Sequence, residues 1–431
     1  MKLSLPLALI ALSLAGAAAL TRGTPAVHAA VESPTAVAAP SGYATALAEL
    51  DARIDDLQER AASRPDDWLV RMHLGTSMLE RAGLTHDADD YTRLQQRLDE
   101  AFAIAPEGSG PLLVAARFEL SIHRLERAQA LLDRMDRRPL RRRDDQIAGQ
   151  VLRAQIATQR GHYDEALALL EQAAEAAPQA ATVDLALLHA KLGARDRADA
   201  LLQSALQQTP PRDARRRAWI GLQRGLLALE QGQLLQALEL LQQADAALSG
   251  WWLVQEHLAE VHDRLGQHGR AIALLEALVA EHGLPQHADA LATAHRHAGD
   301  EARAVVFAEQ ASRGWAALAG SFPEAAMGHA IEHELQHGEP ARALELAQAN
   351  VALRPGGDAQ LLLARALLAV ARPADALAVI ERVLGTRYRT AALHRVAEQV
   401  FTAAGRLAQA QQQREACLAI DPGCAAALHS H

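Results

Sequence analysis

Residues 329–337 contain side chains with the types and spacing needed for metal chemistry. His329 and His333 stand four residues apart, so on a helix both point from the same face and can share one tetrahedral ion. Glu332 beside them can take a proton from a metal-bound water. His337 lies one further turn along the same face. The segment therefore raises the hypothesis of a metal site built from His329, His333 and His337.

Three interpretations of this segment remain open. His329-Ala-Ile-Glu-His333 resembles the H-x-x-E-H pattern of one zinc-peptidase group, although no downstream third ligand is evident. The three histidines could instead bind Zn²⁺, Ni²⁺ or Cu²⁺ without catalysis. The third interpretation is an exposed polar helix face, because the chain has 19 histidines and such spacing arises readily. Further histidines crowd residues 257–297, where most are expected at the surface.

The chain has two cysteines, Cys417 and Cys424, on either side of an Asp-Pro-Gly turn. In an exported protein they could form a disulfide, and the sequence leaves this open because it does not fix the distance between them.

Composition favours helices over other folds. Half of the 431 residues are apolar but only 3 % are aromatic, so burial must come mainly from alanine and leucine in narrow seams between helices. The formal charge of −9 disfavours a general nucleic-acid binder, which would carry a basic surface. The sequence contains no P-loop, nucleophile elbow or dinucleotide-binding fingerprint, and we expect no cofactor.

The N-terminus has the pattern of an export signal. Lys2 is followed by an apolar run from Leu3 to Leu20 and by small residues that suit cleavage near Ala29 or Ala30. The alternative is an uncleaved membrane anchor, because the run is about long enough to span a bilayer. Residues 31–41 are rich in Pro, Ala, Ser and Thr and are expected to form a linker.

One pattern recurs along the chain and must position any functional side chain. A turn residue recurs every 32 to 39 residues, and an alanine lies five positions after it each time. Glycine favours the positive φ that ends a helix, and small residues on the next helix permit close packing. The turn residues are His123, Gly161, Gly193, Gly232, Gly266, Gly299, Gly338, Ala371 and Gly405, and the alanines are Ala128, Ala166, Ala198, Ala237, Ala271, Ala304, Ala343, Ala376 and Ala410.

This unit resembles the tetratricopeptide repeat, with its turn glycine, its small-large-small second helix and, at Pro178, Pro210, Pro355 and Pro422, its closing proline. The resemblance covers roughly residues 66–422 and implies a right-handed α-solenoid. Long intervals place insertions at residues 137–143, 210–217 and 315–323. Before the array, a capping helix is expected from about Tyr43 to Ala62. The array begins with a helix pair, Trp68 to Leu79 and Tyr91 to Ile104, whose connection is expected to be long.

The resemblance also implies a concave groove lined by the first helix of each repeat. Its middle would be mostly acidic, which favours a cationic or extended peptide, and Trp219 with its neighbours would form an apolar pocket. The predicted groove positions are Trp219, Leu222, Leu226, Glu256, Glu260, Asp263, Arg264, Asp289, Arg296, Glu332 and Gln336.

The sequence thus predicts an exported, all-α protein. Its expected parts are a signal peptide or anchor (1–30), a linker (31–41), a capping helix (42–64), a solenoid of about ten helix pairs (65–424) and a tail (425–431). We expect a non-catalytic scaffold or adaptor of the bacterial cell envelope, in the periplasm, that binds a protein or peptide partner in the groove. No nucleic-acid partner is expected, and membrane contact only through an uncleaved N-terminus. The alternative is the metal-binding protein, and a zinc peptidase is the weaker hypothesis.

Overall fold

The computed structural model describes residues 42–139 and 142–424, and over those residues it contains 21 α-helices and no strand. The predicted signal segment, linker and tail lie outside the described residues. Helix α1 spans Tyr43–Ser63 and precedes ten helix pairs. The protein is therefore an all-helical solenoid, as the sequence predicts.

Each pair consists of a first and a second helix that pack against each other. The first helices are α2 Trp68–Thr85, α4 Leu112–Ser121, α6 Arg143–Arg160, α8 Pro178–Lys191, α10 Ala214–Glu230, α12 Trp252–Arg264, α14 Pro285–His297, α16 Pro323–Gln336, α18 Gly357–Ala369 and α20 Ala391–Ala403. The second helices are α3 Ala88–Ile104, α5 Leu125–Asp136, α7 Tyr163–Ala176, α9 Arg195–Gln208, α11 Leu234–Ala247, α13 His268–His282, α15 Glu301–Ser321, α17 Pro340–Leu353, α19 Pro373–Leu384 and α21 Leu407–Leu418.

The recurring turn residue reverses the chain between the two helices of a pair. Gly161 has φ 82°, and the His162 amide behind it donates to the Ala157 carbonyl at 2.8 Å, closing the end of α6. Eight of the nine predicted turn positions have positive φ, the exception being Gly338. All nine alanines that follow are buried, because the neighbouring helix packs directly on them.

The structure corrects one local expectation and shows the form that another takes. The connection between α2 and α3 is short, His86 and Asp87 only, because α2 continues to Thr85 and α3 begins at Ala88. His86 adopts a left-handed conformation there, with φ 54°, and ends α2 in one residue. The third predicted insertion, at residues 315–323, takes the form of additional helix, because α15 continues through Trp315 to Ser321.

The ends of helices in the first five pairs (α2–α11) contact the beginnings of helices in the last five (α12–α21). The Gln159 carbonyl near the end of α6 accepts from the Gly356 amide at the start of α18, at 2.8 Å. The Lys191 carbonyl at the end of α8 accepts from the Arg389 amide before α20, at 2.7 Å. The Leu84 carbonyl at the end of α2 accepts from the Trp252 indole of α12, at 2.7 Å. First helices from distant repeats thus face one another across the interior.

Among the described residues, no helix is both long and apolar enough to cross a membrane. At the C-terminal end, Cys417 and Cys424 form a disulfide that joins the end of α21 to the residues after it.

Candidate functional site

The predicted groove positions are not a uniformly open surface. Leu222 is 0 % exposed and Leu226 7 %, both within the core that also holds Trp252 and Leu84, so they do not form an open apolar pocket beside Trp219. Glu256 and Asp289 are also buried. Asp289 is covered by Trp315 and His333 of the neighbouring helices, and Leu222 and Leu226 pack in a core that includes Trp252 and Leu84.

The remaining groove positions are partly exposed, and charged side chains among them pair with other side chains of the protein. Glu332 pairs with Arg365 of the next repeat. Glu260 lies 3.2 Å from His257 and 3.9 Å from Arg264. Arg296 and Gln336 are partly exposed, and Arg296 donates to the His337 ring at 3.1 Å. The net negative charge that the groove presents to a partner is therefore smaller than the number of its acidic residues predicts.

The predicted histidine ladder lies in a buried polar cluster. His333 Nδ1 is 2.7 Å from an oxygen of Asp289, and the Trp315 indole donates to the other oxygen at 2.6 Å. The His329 ring stacks on Trp315 with centroids 5.2 Å apart. His337 lies 3.9 Å from Asp289. The ladder, which runs along α16 to the residue that ends it, is thus packed against α14 and α15.

In this cluster, hydrogen bonding and burial have opposite effects on the pKa of a histidine. Burial alone would lower the pKa of His333, but the hydrogen bond to Asp289 raises it overall. Burial lowers the pKa of His329, whose Nδ1 has no hydrogen-bond partner among the residues that the structure describes. His287 is 0 % exposed, and its Nε2 lies 3.6 Å from a Glu256 oxygen. The described residues show a packed polar interior here, with His329, His333 and His337 each in a different contact.

A different set of side chains meets the geometric requirement for a metal ion. Asp263, His268 and His297 place one ligand atom each within 4.8 Å of one another, and among the described residues this is the set of three or more that does so. His268 Nδ1 is 2.7 Å from Oδ1 of Asp263, and His297 Nδ1 is 2.6 Å from Oδ2. Asp263 is a predicted groove position and both histidines fall within the histidine-rich residues 257–297, but no sequence pattern connects the three.

The electrostatics of this set follow from its contacts. The hydrogen bond to Asp263 raises the pKa of His297. Burial alone would raise the pKa of Asp263, but hydrogen bonds from the two histidines lower it overall. The carboxylate is therefore held in its ionised form.

Two cavities lie where the halves of the solenoid meet. The larger, of about 120 Å³, is bounded by α6, α8 and α18, and the smaller, of about 70 Å³, by α8, α10 and α20. Leu187 and Lys191 of α8 border both. Lys191 pairs with Asp358 at 2.6 Å across the interface.

Arg354 is a charged side chain in the wall of the larger cavity. It is buried, its Nε donates to the Asn350 side chain at 2.5 Å, and burial lowers its pKa to about 10 despite the nearby Asp358. Sequence analysis missed these lining residues because it applied the groove frame to only four repeats. Extended to α6, α8 and α18, the same frame would have found Gln155, Gln159, Leu187, Lys191 and Asp358.

Consecutive antiparallel helix pairs with buried alanine contacts define an α-solenoid protein built from helix–turn–helix repeats. Residues 149–179, covering α6 and α7 in large part, match the family model for the tetratricopeptide repeat. The chain thus contains a segment that matches the tetratricopeptide repeat, and repeats of this kind generally serve protein–protein interaction.

Comparison with solved structures gives distant likenesses. A tetratricopeptide repeat protein from Parabacteroides merdae ATCC 43184 is 15 % identical, with a TM-score of 0.34 over 56 % of this chain and 91 % of the other. MamA is 19 % identical, with a TM-score of 0.32 over 39 % and 96 %. The human IFIT1 dimer with m7Gppp-AAAA is 15 % identical, with a TM-score of 0.41 over 85 % and 94 %. At these low TM-scores the likenesses say nothing of what this chain binds. No curated protein matches it.

Proposed function

We propose that this protein is a non-catalytic scaffold of the bacterial cell envelope that binds a protein or peptide partner. The observation that carries the proposal is the run of ten helix pairs, which occupies residues 68–418 and includes the segment matching the tetratricopeptide repeat. Folds of this kind present the inner faces of their first helices to partners.

The proposed contact point is the larger cavity between α6, α8 and α18. Its walls combine leucine side chains, such as Leu170 and Leu188, with a few charged groups, Lys191 and Asp358. Binding sites commonly combine an apolar lining with a small number of placed polar groups. A partner segment would insert an apolar side chain beside Leu187 and place its polar groups at the rim.

Two features support the envelope as the location. The sequence of residues 1–30 has the pattern of an export signal. The disulfide between Cys417 and Cys424 suits an oxidising compartment outside the cytoplasm.

A photo-crosslinking experiment tests the contact point. Benzoylphenylalanine would replace Leu187 in the full chain, expressed in the organism that encodes it, and Gln203 on the exposed face of α9 as the control. We expect a discrete crosslinked protein from position 187 and not from 203. The same product from both positions, or none from 187, would contradict the proposal.

With the crosslinked partner purified, Leu187→Ala should weaken its binding about tenfold, because Leu187 is the partly exposed leucine shared by both cavities. Calorimetry measures the affinity. Leu169→Ala on α7, a partly buried leucine outside the cavities, is the matched control and should leave the affinity unchanged. Circular dichroism of both variants checks that the helices are intact.

A further inference from the structure

Three side chains from three successive helices converge at one edge of the solenoid. Asp263 lies in the last turn of α12, His268 is the first residue of α13, and His297 is the last residue of α14. Gly266, with φ 76°, makes the turn that brings His268 back over Asp263. The position of each side chain is therefore fixed by a helix end and not by a long loop.

The carboxylate of Asp263 bridges the two imidazoles, one on each oxygen, at 2.7 and 2.6 Å. The ring centroids of His268 and His297 are 6.0 Å apart. The side chains are exposed to different degrees, 12 % for Asp263, 32 % for His268 and 36 % for His297. The carboxylate is thus largely shielded while the two imidazoles are open to solvent on one side, which gives an ion a way in.

The neighbouring cations do not occupy the same space. Arg264 extends toward the α10 end, where it donates to the Leu229 carbonyl at 3.2 Å. Arg296 donates to His337 and lies 3.4 Å from Glu301. Within the described part of the chain, neither guanidinium forms an ion pair with Asp263, whose two oxygens contact the imidazoles of His268 and His297.

From this geometry we propose that Asp263, His268 and His297 form a binding site for a divalent transition-metal ion of the Zn²⁺ class. Two imidazole nitrogens and one carboxylate oxygen suit Zn²⁺, Co²⁺ and Ni²⁺, and three protein ligands leave a position for water or a further group. In a tetrahedral site the ligand atoms stand about 3.3 Å apart. The two imidazoles contact different oxygens of Asp263 and the three ligand atoms lie within 4.8 Å of one another, so small side-chain rotations must bring them to this spacing, which partly exposed side chains at helix ends can accommodate.

The bound ion would join the repeat formed by α12 and α13 to the first helix of the next repeat, α14. Because only the folded chain brings the three side chains together, metal binding would stabilise it in proportion to occupancy. The site is separate from the cavity proposed for partner binding, so either proposal can fail while the other holds.

The test uses the full chain without a histidine tag, stripped with EDTA and dialysed. Zn²⁺ binding is measured by calorimetry, and Co²⁺ absorption reports ligand geometry. We expect one saturable site and a rise in the melting temperature with added Zn²⁺. His297→Ala and His268→Ala should each weaken Zn²⁺ binding by at least about tenfold, since loss of a ligand costs no less than loss of a supporting residue.

His262→Ala is the matched control, because His262 neighbours Asp263 on α12 but bonds Gln267 instead, at 2.8 Å. It should bind Zn²⁺ like the unmodified chain. The proposal is overturned if the unmodified chain shows no saturable binding, or if the two ligand variants, with circular dichroism unchanged, bind as well as the control. It is equally overturned if binding survives in them but is lost in His329→Ala, which would place the ion on the ladder.

Discussion

At the scale of single residues, His86 shows how the closed interior changes side-chain chemistry. It ends α2 and lies edge-on to Trp252 with ring centroids 4.9 Å apart. Burial lowers its pKa from 6.5 to about 4, opposed by Glu256 and assisted by His329 and His287. His86 is therefore neutral in the folded protein at neutral pH.

This predicts that acidification destabilises the fold. The unfolded chain takes up a proton on His86 near pH 6.5, whereas the folded chain does so only near pH 4, so stability is lost as the pH falls through that interval. Between about pH 7 and about pH 5 the loss from His86 is about 2 kcal/mol. Urea unfolding followed by circular dichroism at both pH values measures it.

The variant His86→Gln should show a correspondingly smaller loss between the two pH values. His162→Gln, at an exposed histidine of the α6–α7 turn, should retain the full loss. An identical pH dependence in both variants would refute the assignment to His86.

At the scale of the element, the turn between the helices of a pair depends on one backbone conformation. Gly193, Gly232 and Gly405 adopt it freely, while Ala371 is held at φ 57° in the same position between α18 and α19. A side chain in this left-handed region costs about 1–2 kcal/mol. The α18–α19 turn is therefore strained relative to its counterparts.

Ala371→Gly should stabilise the protein by up to about 1 kcal/mol, because relief of the strain exceeds the entropy that glycine adds to the unfolded chain. Ala371 is exposed, so no packing is lost. Urea unfolding measures the change. Ala316→Gly, at an exposed position inside α15, should destabilise by about 1 kcal/mol, and stabilisation there as well would contradict the explanation.

At the scale of the whole molecule, close backbone contacts join the two halves of the solenoid. A Cβ on Gly356 would lie 2.7 Å from the Gln159 carbonyl oxygen, and one on Gly357 would lie 2.6 Å from the Tyr388 ring. The Gly357 amide donates to the buried Tyr163 hydroxyl at 2.8 Å. Two adjacent glycines thus let the start of α18 approach the α6–α7 turn.

Tyr163→Phe should weaken this junction, because it leaves the buried Gly357 amide without its acceptor, at a cost of about 1–3 kcal/mol. Amide hydrogen exchange should quicken at Gly356, Gly357 and Arg389 together if the halves separate as units.

The control is Thr158→Val, which removes a hydrogen bond inside α6, from Thr158 Oγ1 to the Ala154 carbonyl at 2.8 Å. Exchange at the junction should stay slow in that variant. Unchanged exchange at Gly357 in Tyr163→Phe would show that the hydroxyl does not hold the halves together.

The sequence alone determined the repeating unit. The turn at Gly161 and the alanine at Ala166 are set by contacts within one helix pair, a few residues apart, and local steric rules suffice to predict them. The same rules gave the all-helical class. The helix-pair unit could be predicted because each repeat contacts mainly its neighbours.

Only the tertiary structure decided which positions remain accessible and which side chains meet. Leu222 and Glu256 follow the groove frame yet are buried, and Lys191 reaches Asp358 from 167 residues away. His268 and His297 converge on Asp263 although no motif links them. These contacts depend on how the small rotations between successive repeats add up over the array and bring distant repeats into contact. That sum is a property of the whole array, and no single repeat encodes it.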